Sequence, residues 1–343
     1  MTDQTLSLDH WLSYIEEVHP VGWDLGLDRV SEVGRRLKLL HPAVTTILVA
    51  GTNGKGSTCE YLERFAMANG LSVGKSTSPH IHQFNERIAI DGVPVPDQSI
   101  VRAFQEIESA RKEITLTYFE FATLASLFLF CEQKVDVAIL EVGLGGRLDA
   151  MNIVDAEVAV LTTLALEHTD WLGDNLEAIA RTKAGIVRPG THVITGWPPE
   201  FHRFIPPCAS LASDASAREW TTLALERLGI AAEVGETRPP GRREQAGNIM
   251  LDCAHNPHAL SWLLARIAEP AVVVFGCLRD KPLAKMLALL PTGVELLACA
   301  PDSPRARSAA AVVAAAGKLG RRGRACDSVA EALELAGERP TLV

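Results

Sequence analysis

The run Thr45-Thr46-Ile47-Leu48-Val49-Ala50-Gly51-Thr52-Asn53-Gly54-Lys55-Gly56-Ser57-Thr58 carries an apolar strand into a glycine-rich turn and then into a helix that continues through Cys59-Glu60-Tyr61-Leu62. Residue types in that order suit the polyphosphate of a nucleoside triphosphate. Gly51, Gly54 and Gly56 can take positive φ and let backbone N–H groups close on phosphate oxygens at the positive end of the helix. Lys55 would neutralise the β- and γ-phosphates, and Ser57 or Thr58 would give a hydroxyl to Mg²⁺. An ordinary phosphate loop puts Ser or Thr directly after the lysine; here Gly56 intervenes, so the motif is a variant. The bland alternative is a glycine-rich turn around a solvent-exposed lysine.

Other polar groups fall at strand ends. Val137-Ala138-Ile139-Leu140 delivers Glu141, followed by Val142-Gly143-Leu144-Gly145-Gly146-Arg147-Leu148-Asp149. Ligands of open parallel sheets sit beyond such ends, where a carboxylate suits Mg²⁺ directly or through water. Thr162-Thr163-Leu164-Ala165-Leu166-Glu167-His168 repeats the arrangement, although one histidine is as readily a structural hydrogen-bonder. Lys183 closes an amphipathic helix among small residues, an unusual place for a solubilising lysine. In Asp252-Cys253-Ala254-His255-Asn256-Pro257-His258, either Asn256 simply caps a helix begun by Pro257, or Asp252, His255 and Asn256 face a nucleotide between two domains. His80 and His82, on a loop, hint only faintly at metal.

These residues need a scaffold, and 343 residues suffice for two domains, with 47% hydrophobic and 22% charged content typical of a globular protein. A net charge of −9 argues against nucleic-acid or anionic-membrane partners. The basic run Arg321-Arg322-Gly323-Arg324 reads as a solvated face. Seven scattered cysteines without C-x-x-C spacing read as reduced and cytosolic. No targeting segment or membrane-spanning stretch is legible, and the expected location is the cytoplasm.

Helical periodicity at 8–18 and 25–40 brackets a turn at 19–24. Strands at 47–50, 71–75, 135–141, 158–162 and 192–195 alternate with helices at 57–68, 98–112, 119–131 and 176–183, the rhythm of an α/β parallel sheet covered on both faces. The pattern weakens over 196–216, and a helix follows at 219–228. The expected organisation is a nucleotide-binding central domain over 1–236, a linker over 237–247 rich in turn formers, and a smaller α/β domain over 248–343. In that domain strands at 249–252, 271–275 and 294–298 alternate with helices at 258–268, 283–290, 308–319 and 328–336. The sequence stops in a further strand, so this domain reads as truncated.

Taken together, residues 51–58, Thr77-Ser78-Pro79-His80, Glu86-Arg87-Ile88, Leu116-Thr117-Tyr118-Phe119-Glu120, 141–149, 167–173, 183–186 and 252–257 resemble folylpolyglutamate synthase and the bifunctional dihydrofolate synthase of the Mur ligase superfamily. The resemblance runs from about residue 8 to the end. It implies a P-loop Mur-ligase-like parallel-sheet domain followed by a Rossmann-like domain, and an ATP-dependent carboxylate–amine ligase: a carboxylate attacks the γ-phosphate of ATP, and the amine of glutamate turns the acyl phosphate into an amide. The acid would be dihydropteroate or a folate.

By that resemblance Gly51, Thr52, Asn53, Gly54, Lys55, Gly56, Ser57 and Thr58 hold ATP, with Arg242, Asp252, His255 and Asn256 completing its site. Ser57 and Glu141 bind a first Mg²⁺ and His168 a second, while Lys183 matches a carbamoylated lysine whose new carboxylate joins the second metal; Lys55, Lys183 and His168 are the catalytic set. Asp24, Leu25, Gly26, Ser78, Pro79, His80, Phe119, Glu120, Arg147 and Asp149 form the acid-substrate pocket. A monomer is expected. The sequence departs from the family pattern at Thr182, Met151 and Cys253, in a short stretch between Thr195 and Gly241, and in lacking a terminal Ser-Phe-His segment. Those departures motivate two alternatives, the same chemistry recruited to another acid or amine in a secondary-metabolite or cofactor pathway, and a non-catalytic nucleotide-binding homologue. A simple phosphotransferase is more distant.

Overall fold

The computed structural model describes residues 6–21, 24–213, 216–230 and 239–343. Two compact units, Met1–Thr237 and Arg238–Val343, divide the chain. The expected domain boundary at 236–237 lies outside the described residues, as do Gly22 and Trp23 of the expected 19–24 turn.

The first unit holds strands β1 (Thr45–Ala50), β2 (Val73–Ser76), β3 (Ile88–Ile90), β4 (Val93–Pro94), β5 (Val137–Glu141), β6 (Val158–Leu161), β7 (His192–Thr195) and β8 (Ser210–Ser213). Its helices are α1 (Leu8–Glu17), α2 (Asp28–Arg36), α3 (Lys55–Ala68), α4 (Asp97–Arg111), α5 (Tyr118–Gln133), α6 (Thr169–Leu172), α7 (Leu176–Ala184) and α8 (Ala217–Arg227). The sheet runs β4-β3-β2-β5-β1-β6-β7-β8, parallel except for the β3–β4 edge hairpin. That hairpin and the edge strand β8 were not legible: two to four residues near a sheet edge carry little apolar alternation.

β1 lies centrally because its apolar run buries both faces. Ile47 and Val49 pack with Leu62 and Phe65 of α3 and Trp220 of α8 on one side, and Leu48 and Ala50 pack with Phe121 and Leu124 of α5 on the other. α5 is apolar nearly all round, as suits a helix sunk in the core. The register sets Val49 beside Glu141 and Ala50 beside Leu161, so the carboxyl ends of β5, β1 and β6 come level.

The second unit has β9 (Glu244–Ala246), β10 (Ile249–Leu251), β11 (Val272–Phe275), β12 (Glu295–Ala298), β13 (Gly323–Ala325) and β14 (Thr341–Leu342), with α9 (Pro257–Leu264), α10 (Leu283–Leu289), α11 (Ala309–Lys318) and α12 (Val329–Ala336). Its sheet runs β13-β12-β11-β14-β10-β9, parallel except for β9, the smaller Rossmann-like unit anticipated. Glu244–Ala246 of the expected linker is thus an edge strand. The basic run is not merely a solvated face: Gly323–Ala325 pairs with β12, and Arg321 donates to the carbonyl oxygens of Leu290 and Pro291.

Among the described residues no helix is long and apolar enough to cross a membrane.

Candidate active site

The loop after β1 is strapped to the segment after β6. Thr52 N–H donates to Thr163 O at 2.8 Å, Asn53 N–H to Thr163 Oγ1 at 2.9 Å, and Thr162 Oγ1 to Asn53 O at 2.8 Å. Thr52 Oγ1 donates to Ala165 O and accepts from Ala165 N–H, both at 3.1 Å. Gly51 has φ of 149°, and a Cβ there would lie 1.8 Å from Thr162 Oγ1. Gly51→Ala is therefore expected to lower stability by about 3 kcal/mol or more, from overpacking and backbone strain together. Chemical denaturation checks this, and an unchanged midpoint would contradict the packing.

Gly54, with φ of 87°, sits at the N-cap of α3. Gly56 does not use that freedom, because α3 already begins at Lys55. Its lack of a side chain serves space instead: a Cβ there would come 3.6 Å from Glu141 Oε2. Thr58 Oγ1 donates to Gly54 O at 2.8 Å, so of the two adjacent hydroxyls Thr58 is committed to the helix backbone.

Two lysines converge on one carbonyl. Lys55 Nζ donates to Gly51 O at 3.1 Å and Thr52 O at 3.3 Å, and Lys183 Nζ donates to the same Gly51 O at 2.8 Å. Lys183 is buried at 3% exposure. Burial first, and the Lys55 charge second, lower its pKa to about 7 against the pull of Glu167 and Asp149.

The glycine loop after β5 brings Lys183 there. Arg147 N–H donates to Thr182 O at 2.8 Å, and a Cβ on Gly146 would stand 2.8 Å from the carbonyl oxygens of Thr182 and Lys183, so the loop lies directly on the end of α7. Asp149 organises this loop: its carboxylate accepts from Leu144 N–H at 2.7 Å and Met151 N–H at 2.9 Å, and burial raises its pKa to about 6 despite those bonds. The Arg147 side chain is exposed.

Glu141, buried, accepts from Ser78 N–H at 3.1 Å. His168 takes the left-handed conformation, φ 49°, at the start of α6, with Nε2 3.6 Å from Glu167 Oε1. Among the described residues no cluster of three or more His, Cys, Asp or Glu side chains is poised as a metal cage. The donors present fit Mg²⁺, which takes one or two protein carboxylates and completes its octahedron with water and substrate phosphates.

Arg29 joins two of the expected substrate-pocket residues. It donates to Asp24 Oδ2 at 2.6 Å, to Asp24 O at 2.9 Å and to Glu120 Oε1 at 3.2 Å. Glu120 also accepts from Thr117 N–H in a capping box at the start of α5, and burial raises its pKa. Leu25 packs with Leu144, Leu172 and Ile179, while Gly26 has open space where a Cβ would go. The Phe119 ring covers Gly143, where a Cβ would meet it at 2.6 Å.

Sequence reasoning gave Arg29 no role; its spacing five residues after Asp24 was the available signal. Glu86 anchors the neighbouring loop, accepting from the N–H groups of Ile81, His82 and Gln83 at 2.7–2.8 Å. His82 and Pro79 are exposed, and His80 Nδ1 accepts from Arg87 Nε at 2.8 Å. That bond leaves only Nε2 of His80 for any other ligand.

In the second unit Asn256 caps α9 by accepting from Ala259 N–H at 2.8 Å, with Pro257 as first helical residue. Asp252 accepts from Arg243 N–H at 2.9 Å, and Cys253 N–H donates to Gly241 O, which together hold the 241–243 turn. Arg242 is exposed, and His255 Nδ1 lies 3.0 Å from Cys253 O.

Residues 49–192 match the Mur ligase middle domain and residues 241–339 the Mur ligase, glutamate ligase domain. The chain is 40% identical to the dihydrofolate synthase/folylpolyglutamate synthase of Escherichia coli, over 96% of this chain and 89% of that one. It superposes on a structure of E. coli FolC in complex with DHPP and ADP with a TM-score of 0.90 at 37% identity, covering 98% of this chain and 94% of the other. A bifunctional folylpolyglutamate synthase/dihydrofolate synthase with Mn, AMPPNP and L-glutamate bound gives a TM-score of 0.85 at 35% identity, covering 100% and 96%.

Proposed function

The chain belongs to the dihydrofolate synthase/folylpolyglutamate synthase family of Mur ligases, and from that premise we propose that it adds L-glutamate to dihydropteroate or a folate with ATP as phosphoryl donor. The observation that carries the reading is the convergence of Lys55 and Lys183 on Gly51 O, with Glu141 one strand away on β5.

A carboxylate oxygen of the acid attacks the γ-phosphorus and the bond to ADP breaks. The glutamate amine then attacks the acyl carbon, loses a proton and expels phosphate. Lys55 and the N–H groups at the start of α3 hold the phosphate charge in place. Ser57 and Glu141 would hold one Mg²⁺ and His168, with a carbamate on Lys183, a second. These ions offset the mutual repulsion of carboxylate and phosphates. Arg242, Asp252, His255 and Asn256 would serve the nucleotide, and Asp24, Leu25, Gly26, Ser78, Pro79, His80, Phe119, Glu120, Arg147 and Asp149 the acid pocket, Asp149 through the loop it organises.

The carbamate is supported by the burial of Lys183 and by its pKa of about 7, which leaves much of it as neutral amine near neutrality, the form that combines with CO2. We place the enzyme in the cytoplasm as a monomer, in keeping with its net charge of −9 and its lack of cysteine pairing motifs.

Purified protein with ATP, Mg²⁺, dihydropteroate and glutamate is expected to release ADP only when both acid and amine are present, with tetrahydrofolate tested as a second acid. Release with a non-pterin acid alone would move the enzyme to another pathway. ATP binding without turnover across an acid and amine panel would overturn the ligase reading.

A further inference from the structure

Arg87 begins as a puzzle of charge. It ends the short 3-10 helix Phe84–Arg87, and its backbone carbonyl accepts from Thr77 N–H at 3.0 Å, so it stands opposite the end of β2 where the Ser78–His80 loop starts. Its guanidinium lies 5.7 Å from the centre of the Phe84 ring and 5.6 Å from that of Tyr118, rings that meet edge to face. Among the described residues no carboxylate comes within ion-pair distance of it; Glu141 is only near enough to be felt through space. A half-buried cation with π faces but no anion of its own is incompletely compensated.

A side-chain hydrogen bond to His80 also fixes its aim. Arg87 Nε donates to His80 Nδ1 at 2.8 Å, and since a guanidinium can only donate, that nitrogen of His80 must be unprotonated. With Nε spoken for and the plane set by two rings, the terminal Nη1/Nη2 fork is the edge left for a ligand. That fork matches a carboxylate in bidentate geometry.

We propose that Arg87 binds the reacting carboxylate of the acid substrate, with His80 as the positioning residue that orients the fork. This rests on the ligase reading and adds a specificity-determining contact to it. Ser78, in the same loop, donates its N–H to Glu141, so the carboxylate held by Arg87 would lie on the side of the loop tied to the candidate Mg²⁺ ligand.

The test compares the acid with its neutral carboxamide as ligands of wild type, Arg87→Met and Arg87→Lys, by calorimetry without ATP, alongside ATP affinity and steady-state kinetics. Wild type should prefer acid over carboxamide. Arg87→Met should lose that preference, raising KM for the acid about 10- to 100-fold with ATP affinity unchanged. Arg87→Lys, which keeps the charge and loses the fork, should recover only part and decides the matter if the Met variant fails to fold. His80→Ala should raise KM less than Arg87→Met does.

An acid KM within twofold of wild type in Arg87→Lys and Arg87→Met, or an acid-over-carboxamide preference that survives both, would overturn the proposal while leaving ligation intact. A wild type that turns over no acid of the panel would instead overturn the ligase reading itself.

Discussion

Lys55→Ala should lower turnover by about three orders of magnitude, since an ammonium aimed at developing phosphate charge supplies a large electrostatic share of such catalysis. The fold should tolerate the loss. Among the described residues Lys55 Nζ bonds to Gly51 O and Thr52 O, and the loop stays strapped by Thr52, Asn53, Thr162 and Thr163. Thermal melting should therefore stay close to wild type while single-turnover ADP formation collapses. An active Lys55→Ala enzyme would refute the assignment of the phosphate loop.

Lys183→Ala carries the second large effect. If the carbamate supplies a metal-binding carboxylate, turnover should fall by at least about two orders of magnitude, and a small carboxylate such as acetate should restore part of it by occupying the space. The pH dependence has a definite sign. Burial and Lys55 hold the folded-state pKa at about 7, well below the usual lysine range, so the ammonium form and its burial cost dominate below about pH 7. As pH rises through that value the amine is freed, the cost is relieved, and at fixed CO2 pressure carbamate occupancy should climb. Mass spectrometry after trapping, or NMR with ¹³C-labelled bicarbonate, measures the occupancy. Full activity of a carbonate-free enzyme would remove the carbamate from the mechanism.

Much of this was legible from local pattern. The β1 run, the glycines and lysine after it, and the alternation of strand and helix announce a parallel sheet with a phosphate loop. β1, β5, β6 and β7 fall where period and burial place them. What escaped was short or set by distant partners. β3, β4, β8, β9 and β13 are strands of two to four residues at or next to a sheet edge, too brief to show a period, and they exist because a neighbouring strand offers hydrogen bonds. Gly56, free to take positive φ, instead leaves room beside Glu141 within an already formed helix.

The chemistry on offer is readable along the chain, because the spacing of Gly51, Gly54, Lys55 and Ser57 and the polar residues closing each strand are properties of contiguous residues. Folding settles which of those groups are occupied and which are poised. Thr58 is spent on Gly54 O and Asp149 on its own loop, while Lys183 reaches the carbonyl of a residue 132 positions away. Arg29 gathers Asp24 and Glu120, and Arg87 is left a cation between two rings. Burial and partnership set a side chain's charge and availability, and both depend on groups the linear order keeps apart.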